Sequence, residues 1–172
     1  MTITELDRAK SLITSIPDHP EPGVNFRDIS PLIADGPALR AVTEALIAPF
    51  AGQFDFVGGL EARGFLFAGT IAAMTGVGIL PIRKAGKLPK PAAAASYSLE
   101  YGTATIEAPD VLGEGARVLL VDDILATGGT LSAAQALVAD LGAEVIGSAV
   151  VLELTGLGGR EHAGEVHALF SD

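Results

Sequence analysis

Short apolar runs that alternate with helix-length segments constrain the fold of this chain more than any other feature. Apolar runs of four to eight residues without polar alternation are typical of strands buried on both faces of a parallel sheet. Four such runs occur, at 54–60, 77–82, 117–121 and 145–152, and an edge strand is expected after them at 166–170.

Segments with helical spacing of apolar residues precede and separate these strands. Helices are expected before Pro17, from Pro37 to about Pro49, from Gly64 to about Thr75, and from Thr130 to Leu141. Residues 17–37 are rich in Pro, Gly, Asp and Asn and are expected to be irregular, whereas alternation between Tyr97 and Glu107 predicts a β-ribbon. The sequence therefore predicts one α/β domain over residues 1–172, with a mostly parallel sheet and helices on both faces.

Charge and composition disfavour several classes of protein. The 172 residues include 11 Lys+Arg and 21 Asp+Glu, and the net charge of −10 would repel nucleic-acid phosphates and anionic membranes. Aromatic residues make up only 5%, which leaves few stacking platforms for single-stranded nucleic acid. The chain has no Cys, which excludes disulfides, thiolate metal sites and a cysteine nucleophile. We therefore expect neither a nucleic-acid partner nor a membrane partner.

The uncharged stretch 64–82 is the only candidate for a membrane span. Several glycines and Pro81 interrupt it, so a helix followed by a buried strand is expected instead. The first ten residues carry four charges where a secretory signal needs an apolar run. These features predict a soluble, cytoplasmic protein.

Residues 118–130 (VLLVDDILATGGT) combine an apolar strand, two adjacent acids and a glycine-containing turn that opens a helix. Backbone N–H groups and two hydroxyls between Thr127 and Thr130 would face an anion at the positive end of the helix dipole. Asp122 and Asp123 would repel a phosphate, so they suit ribose hydroxyls and a divalent cation one sugar away. The alternative is an ordinary strand–turn–helix with exposed acids, but the combination favours a phosphate site. No Gly-Lys-Ser/Thr follows, so it is not a Walker A loop.

This stretch resembles the phosphoribosyl diphosphate (PRPP) motif of the type I phosphoribosyltransferases. The resemblance implies the fold of that family, with a small N-terminal hood at about 16–36 and a flexible lid at about 86–102. It also implies that Asp122 and Asp123 hold the ribose hydroxyls. The 5′-phosphate would be held by the loop that follows: Ala126, Thr127, Gly128, Gly129 and Thr130.

Further segments resemble the adenine phosphoribosyltransferases within that family, over about residues 13–160. They are PEPGVNFRDIS at 20–30, EARGFLF at 61–67, RKAGKLP at 83–89 and SYSLEYG at 96–102. The resemblance implies transfer of the 5-phosphoribosyl group from PRPP to adenine, giving AMP and diphosphate in purine salvage. It further implies a homodimer, and Mg²⁺ held mainly through PRPP and water rather than by a protein cage.

Basic residues after two strands are predicted to bind the diphosphate. The Arg63 guanidinium can bind it bidentately, and in the family the turn 61–64, including Gly64, is the diphosphate loop. A basic run after the strand 77–82 could be a solvated face, but its place opposite a phosphate loop favours binding. It supplies Arg83, Lys84 and Lys87.

The remaining site residues are implied by the resemblance alone. Glu100 and Tyr101 would approach the reacting centre when the lid closes, with Glu100 managing the proton of the purine imidazole. Without the resemblance, Glu100 would be interpreted as a solvent-facing acid. The adenine would lie between the hood and the end of a strand, against Val24, Phe26, Arg27 and Leu154, although Phe26 and Leu154 could equally be core residues. The histidines are expected to be surface or packing residues: His19, His162 and His167.

Two other functions remain open at this stage. The first is transfer to another purine base such as hypoxanthine or guanine, against which the hood segment argues. The second is a PRPP-sensing regulatory protein that binds RNA or DNA, against which the net charge of −10 argues.

Overall fold

A computed structural model describes residues 4–98 and 103–172 of the chain. The chain divides into two units, Met1–Ala45 and Leu46–Asp172. The predicted hood lies in the first unit, and every predicted strand of the large sheet lies in the second.

The first unit contains a two-stranded antiparallel sheet that the sequence analysis did not predict. Its elements are α1 (Glu5–Ser11), β1 (Thr14–Pro17), β2 (Asn25–Asp28), α2 (Ser30–Ala34) and the start of α3 (Gly36–Ile47). The prediction of a helix up to Pro17 was wrong beyond Ser11, because residues 14–17 pair with β2 and Ile16 lies opposite Phe26. β-Branched residues and a following proline both favour extended backbone there. Residues 17–37 are likewise not irregular throughout, since they include β2 and α2.

The second unit is built on a seven-stranded sheet. Its elements after α3 and a short 3-10 helix are β3 (Phe56–Leu60), α4 (Gly64–Thr75), β4 (Gly78–Lys84), β5 (Ala93–Ser98), β6 (Thr103–Ala108), β7 (Arg117–Leu125), α5 (Gly129–Asp140), β8 (Glu144–Glu153), α6 (Arg160–Ala163) and β9 (His167–Ser171). A second 3-10 helix spans Thr155–Leu157. The strand order is β5-β6-β4-β3-β7-β8-β9.

Five neighbouring strands, β4-β3-β7-β8-β9, are parallel, and the ribbon β5–β6 adds two antiparallel strands at one edge. The prediction of a mostly parallel sheet is therefore confirmed. Residues 118–121 of β7 are apolar and buried, because both faces of the sheet are covered there. The stretch 64–82 is α4 and most of β4, as expected. Across the described ranges, no helix has the length and apolar character that a membrane crossing requires.

The direction of winding reverses between β3 and β7. The chain leaves β3 through α4 to β4 on one side, and leaves β7 through α5 to β8 on the other side. Because such crossovers are right-handed, α4 and α5 cover opposite faces of the sheet. Open α/β sheets bind ligands at the carboxyl ends of the strands where this reversal occurs. The loops after β3 and β7 are therefore the expected place for a site.

Strand β7 is four residues longer than the sequence predicted, because its pairing with β8 continues through Asp122↔Val150 and Leu125↔Glu153. Asp122 and Asp123 therefore lie within the strand rather than in the turn. Successive strand side chains point to opposite sides, so the two carboxylates have different surroundings.

Candidate active site

The loop after β3 contacts both neighbouring strand ends. The Glu61 N–H donates to the Ile82 carbonyl at 2.9 Å, on the β4 side. On the β7 side, a Cβ on Gly64 would lie 2.8 Å from the Val121 carbonyl oxygen and 3.1 Å from Oδ1 of Asp122, so only glycine fits without a shift. The structure thus brings the predicted diphosphate loop against the predicted ribose acids.

The turn between β7 and α5 has the geometry of an anion-binding loop. Gly128 is the N-cap of α5 with φ 82° and ψ −8°, a left-handed conformation that favours glycine. In the part of the chain that the structure describes, no side chain caps α5 at this end. The N–H groups of its first turn have no acceptor within the helix and lie at the positive end of the dipole. They can therefore bind a phosphate.

A cavity of about 70 Å³ adjoins this turn and extends to Asp122. Asp122, Thr127 and Thr130 are among the residues that line it. Burial raises the pKa of the Asp122 carboxyl well above its ordinary value, and the neighbouring charge of Asp123 raises that pKa further. Ribose hydroxyls could donate to this carboxylate while a 5′-phosphate occupies the turn.

Asp123 makes an ion pair with Arg63. Asp123 is 6% exposed, and Nε of Arg63 donates a hydrogen bond to its Oδ2. The structure therefore joins the predicted diphosphate cation to one of the predicted ribose acids. Nothing in the sequence pattern predicts this pair, because the two residues are 60 positions apart.

Glu61 organises part of the basic run. Its Oε2 accepts the Lys84 N–H at 3.0 Å and lies 3.4 Å from Nε of Arg83, and its Oε1 lies 3.7 Å from Nζ of Lys87. The Lys84 N–H bond and the two nearby cations lower the pKa of the Glu61 carboxyl. Arg83 and Lys84 are the last two residues of β4, which continues past the expected strand end at 82, and Lys87 follows the strand. The contacts with Glu61 place these cations beside the diphosphate loop.

A second acid, Glu107 on β6, accepts hydrogen bonds from the backbone of the same run. Oε1 of Glu107 accepts the N–H groups of Lys87 at 2.8 Å and Leu88 at 2.6 Å. This residue was not among those predicted from the sequence. Its one signal was a carboxylate in an otherwise neutral strand, between Ile106 and Ala108.

A cleft of about 400 Å³ lies between β5 and the start of α5. Ser96 and Tyr97 of β5 line it together with Thr127 and Gly129 of the phosphate loop. His162 also lines this cleft, beside the loop rather than at an unrelated surface. The predicted β-ribbon is confirmed and begins four residues earlier than expected, at Ala93. Glu100 and Tyr101 lie outside the described residues.

Backbone after β8 packs against the phosphate loop. The Gly159 carbonyl oxygen would lie 2.1 Å from a Cβ on Gly128. Arg160 is anchored by two hydrogen bonds to the carboxylate of Glu153, from Nε at 2.8 Å and from Nη2 at 2.7 Å. Leu154 follows that glutamate, and its N–H donates to the Leu125 carbonyl at 2.9 Å. No local pattern predicts this support for the loop, because Gly128 and Leu125 meet residues about thirty positions further along the chain.

The hood residues lie on and beside β2 in the first unit. Val24 is 43% exposed, and the ring of His19 packs edge-on against Phe26 with 5.2 Å between ring centroids. Nη1 of Arg27 donates to Oγ of Ser15 on β1. These contacts give the hairpin a defined shape.

The mostly parallel sheet carries a glycine-rich anion loop after β7, which bears two acids, and cations lie at the ends of β3 and β4. This arrangement is that of a protein that binds a phosphorylated sugar. The family model of the phosphoribosyl transferase domain matches residues 33–168, and the chain belongs to this family.

Relatives within the family carry a more particular name. The chain is 56% identical over 156 residues to an adenine phosphoribosyltransferase of Renibacterium salmoninarum. The aligned region covers 90% of this chain and 86% of that protein. Its structure is similar to that of adenine phosphoribosyltransferase from Rhodothermus marinus, with a TM-score of 0.92, 43% identity, and coverage of 99% of this chain and 100% of the other. The Saccharomyces cerevisiae enzyme, solved with D-2,5-dideoxy-2,5-imino-altritol 1,6-bisphosphate and adenine, gives a TM-score of 0.90 and 36% identity, covering 96% of this chain and 98% of the other.

Proposed function

We propose that this protein is a purine salvage enzyme that transfers the 5-phosphoribosyl group of PRPP to N9 of adenine, releasing diphosphate and forming AMP. One observation carries the proposal: the glycine-rich turn at the start of α5 and the Asp122 carboxylate share one cavity. The adenine phosphoribosyltransferases that are similar over nearly the whole chain support adenine as the acceptor.

The phosphate and the ribose are assigned to the end of β7. The 5′-phosphate accepts N–H groups from the loop and hydroxyl hydrogens from Thr127 and Thr130. Asp122 and Asp123 accept hydrogen bonds from the ribose hydroxyls. Fixing the sugar at both ends holds its C1 atom in place for attack, and such positioning supplies a large share of the rate acceleration.

The leaving diphosphate is assigned to the loop after β3 and to the basic run. As the bond from C1 to the diphosphate oxygen stretches, positive charge develops on the sugar and negative charge on the leaving group. Arg63 and the Gly64 backbone stabilise that negative charge together with Arg83, Lys84 and Lys87. The oxygens of PRPP are hard donors that suit Mg²⁺, which would be held mainly through substrate and water and would neutralise further charge on the diphosphate.

The base is assigned to the hood and to the end of β8. Val24 and Phe26 would pack against the purine ring, the backbone near Arg27 would bind its 6-amino edge, and Leu154 would pack on the other side. As N9 bonds to C1, the N9 proton passes to the Glu100 carboxylate beside Tyr101. The lid at 86–102 would exclude water from the cation-like sugar and so prevent hydrolysis.

We also propose that the protein acts as a cytoplasmic homodimer, with no nucleic-acid or membrane partner. Leu66, Met74 and Ile79 of the second unit are 37–48% exposed, which is apolar surface that a second copy could cover. Light scattering at micromolar concentration should give twice the 17.5 kDa mass of one chain. A single-chain mass would refute the dimer.

The test supplies PRPP and Mg²⁺ with each purine base in turn and measures mononucleotide and diphosphate. We expect AMP from adenine and little product from hypoxanthine or guanine. Arg63→Ala and Asp122→Asn should each lower kcat/KM by about 100-fold. Arg40→Ala and Asp140→Asn change exposed residues of the same types and serve as matched controls. A preference for another base would refute the choice of acceptor, and PRPP binding without any product would favour a PRPP-sensing protein.

A further inference from the structure

Glu107 is a buried carboxylate beside the basic run, outside every group of residues assigned above. It is 5% exposed and lies opposite Arg83 in the pairing of β6 with β4. A carboxylate is rarely buried unless its charge is compensated. In this structure most of the compensation comes from backbone, since one oxygen accepts N–H groups from both Lys87 and Leu88, and the charge of Arg83 adds to it.

These two hydrogen bonds fix residues 83–88, which we name the basic turn. Gly86 at its centre has φ 83°, a left-handed conformation that favours glycine. Nη1 of Arg83 donates to the Lys87 carbonyl at 3.3 Å and closes the turn from inside. The N–H bonds to Glu107 also lower the pKa of its carboxyl, so it stays ionised at neutral pH.

Glu61 and Glu107 bind the basic turn in different ways. Glu61 lies 3.4 Å and 3.7 Å from the side-chain nitrogens of Arg83 and Lys87, so a diphosphate would compete with it for those cations. The hydrogen bonds of Glu107 go to backbone N–H groups, and they need not break when the Lys87 ammonium binds an anion. Glu107 can therefore hold the turn throughout the reaction.

We infer that Glu107 is a positioning residue for the diphosphate of PRPP, acting through the backbone of Lys87 and Leu88. The inference rests on the proposed function, which assigns the basic turn to the diphosphate. Glu107 fixes where the lysine ammonium lies without touching substrate itself. Its contribution depends on the location of one oxygen atom rather than on its negative charge.

Two conservative variants separate location from charge. Glu107→Asp keeps the charge and withdraws the oxygen by one methylene, whereas Glu107→Gln removes the charge and keeps an acceptor oxygen at the same reach. We expect Glu107→Asp to raise the KM for PRPP about tenfold, the equivalent of one good hydrogen bond. Glu107→Gln should stay within about threefold of wild type, because its side-chain oxygen can still accept the two backbone N–H groups. The KM for adenine should not change in either variant.

Glu114→Gln is the matched control, because Glu114 is an exposed glutamate in the loop before β7. Thermal unfolding of every variant identifies a loss of stability, which alone would leave the KM for PRPP unchanged. Equal KM values for PRPP in Glu107→Asp and wild type, or a larger effect in Glu107→Gln than in Glu107→Asp, would overturn the inference.

Calorimetric titration with PRPP and Mg²⁺ distinguishes this failure from failure of the proposed function. If wild type does not bind PRPP, or if Lys87→Ala binds it as tightly as wild type, the assignment of the diphosphate is wrong. If Lys87→Ala weakens binding and Glu107→Asp does not, only the role of Glu107 is wrong.

Discussion

Replacing Gly128 with alanine tests how the phosphate loop is held in place. Two features of the structure oppose a side chain at this position. Its φ of 82° is in the left-handed region, and an added Cβ would lie 2.1 Å from the Gly159 carbonyl oxygen. That oxygen belongs to backbone, so relief of the clash must move either the loop or the segment before α6.

The magnitude follows from these two terms. The left-handed conformation costs a non-glycine residue about 1–2 kcal/mol. Overpacking against a neighbour that cannot rotate away costs about 1–3 kcal/mol. We therefore expect Gly128→Ala to lower the free energy of unfolding by about 2–5 kcal/mol, a large part of a typical domain's total of about 5–15 kcal/mol.

Gly142→Ala is the matched control, because Gly142 has a φ of 74° and nothing within 4 Å of its added Cβ. It should therefore show only the conformational cost of about 1–2 kcal/mol. Urea unfolding followed by circular dichroism measures both variants. Gly128→Ala should also weaken PRPP binding, whereas Gly142→Ala should not. Equal losses of stability in the two variants would refute the close packing of the loop on Gly159.

Three other substitutions test separate parts of the structure. Asp122→Asn should raise stability at pH 7 while lowering activity, because burial and the charge of Asp123 raise the folded pKa of Asp122. Wild type then loses stability as the pH rises from the ordinary aspartate pKa to the raised folded pKa, so the gain of the variant should vanish below the ordinary aspartate pKa. A variant less stable than wild type at pH 7 would contradict this. Arg160→Ala should lower the free energy of unfolding by about 1–2 kcal/mol at pH 7, because it leaves the buried Glu153 carboxylate without its cation. The loss is no larger because about half of the Arg160 side chain is exposed to water. The Arg160 hydrogen bonds lower the folded pKa of Glu153, so the loss should shrink as the pH falls through that pKa, and a loss independent of pH would exclude the ion pair as its cause. Gly69→Ala, within α4 and with open space around the added Cβ, should gain about 0.5–1 kcal/mol in urea unfolding, and a loss would show a contact that the structure lacks.

The sheet could be predicted from the sequence because each of its central strands has its own run of apolar residues in the sequence. Residues 118–121 are apolar without alternation, and the same holds for residues 149–152, so burial on both faces follows from the residues alone. The phosphate loop was equally local, since strand, acids, glycines and helix occupy thirteen consecutive residues.

Other features depend on pairings that no local pattern encodes. The length of β7 is set by its register with β8, and the hairpin of β1 and β2 is set by a pairing across residues 17–25. The ion pair of Arg63 with Asp123 joins the ends of two strands far apart in the chain. A sequence shows that charged residues follow strands, but only the strand order shows which of them meet.

A crystal structure of the protein with AMP tests the central claim most directly. The account predicts that the 5′-phosphate lies against the N–H groups at the start of α5, with the ribose hydroxyls on the acids of β7. A nucleotide bound elsewhere, with this turn empty, would contradict it.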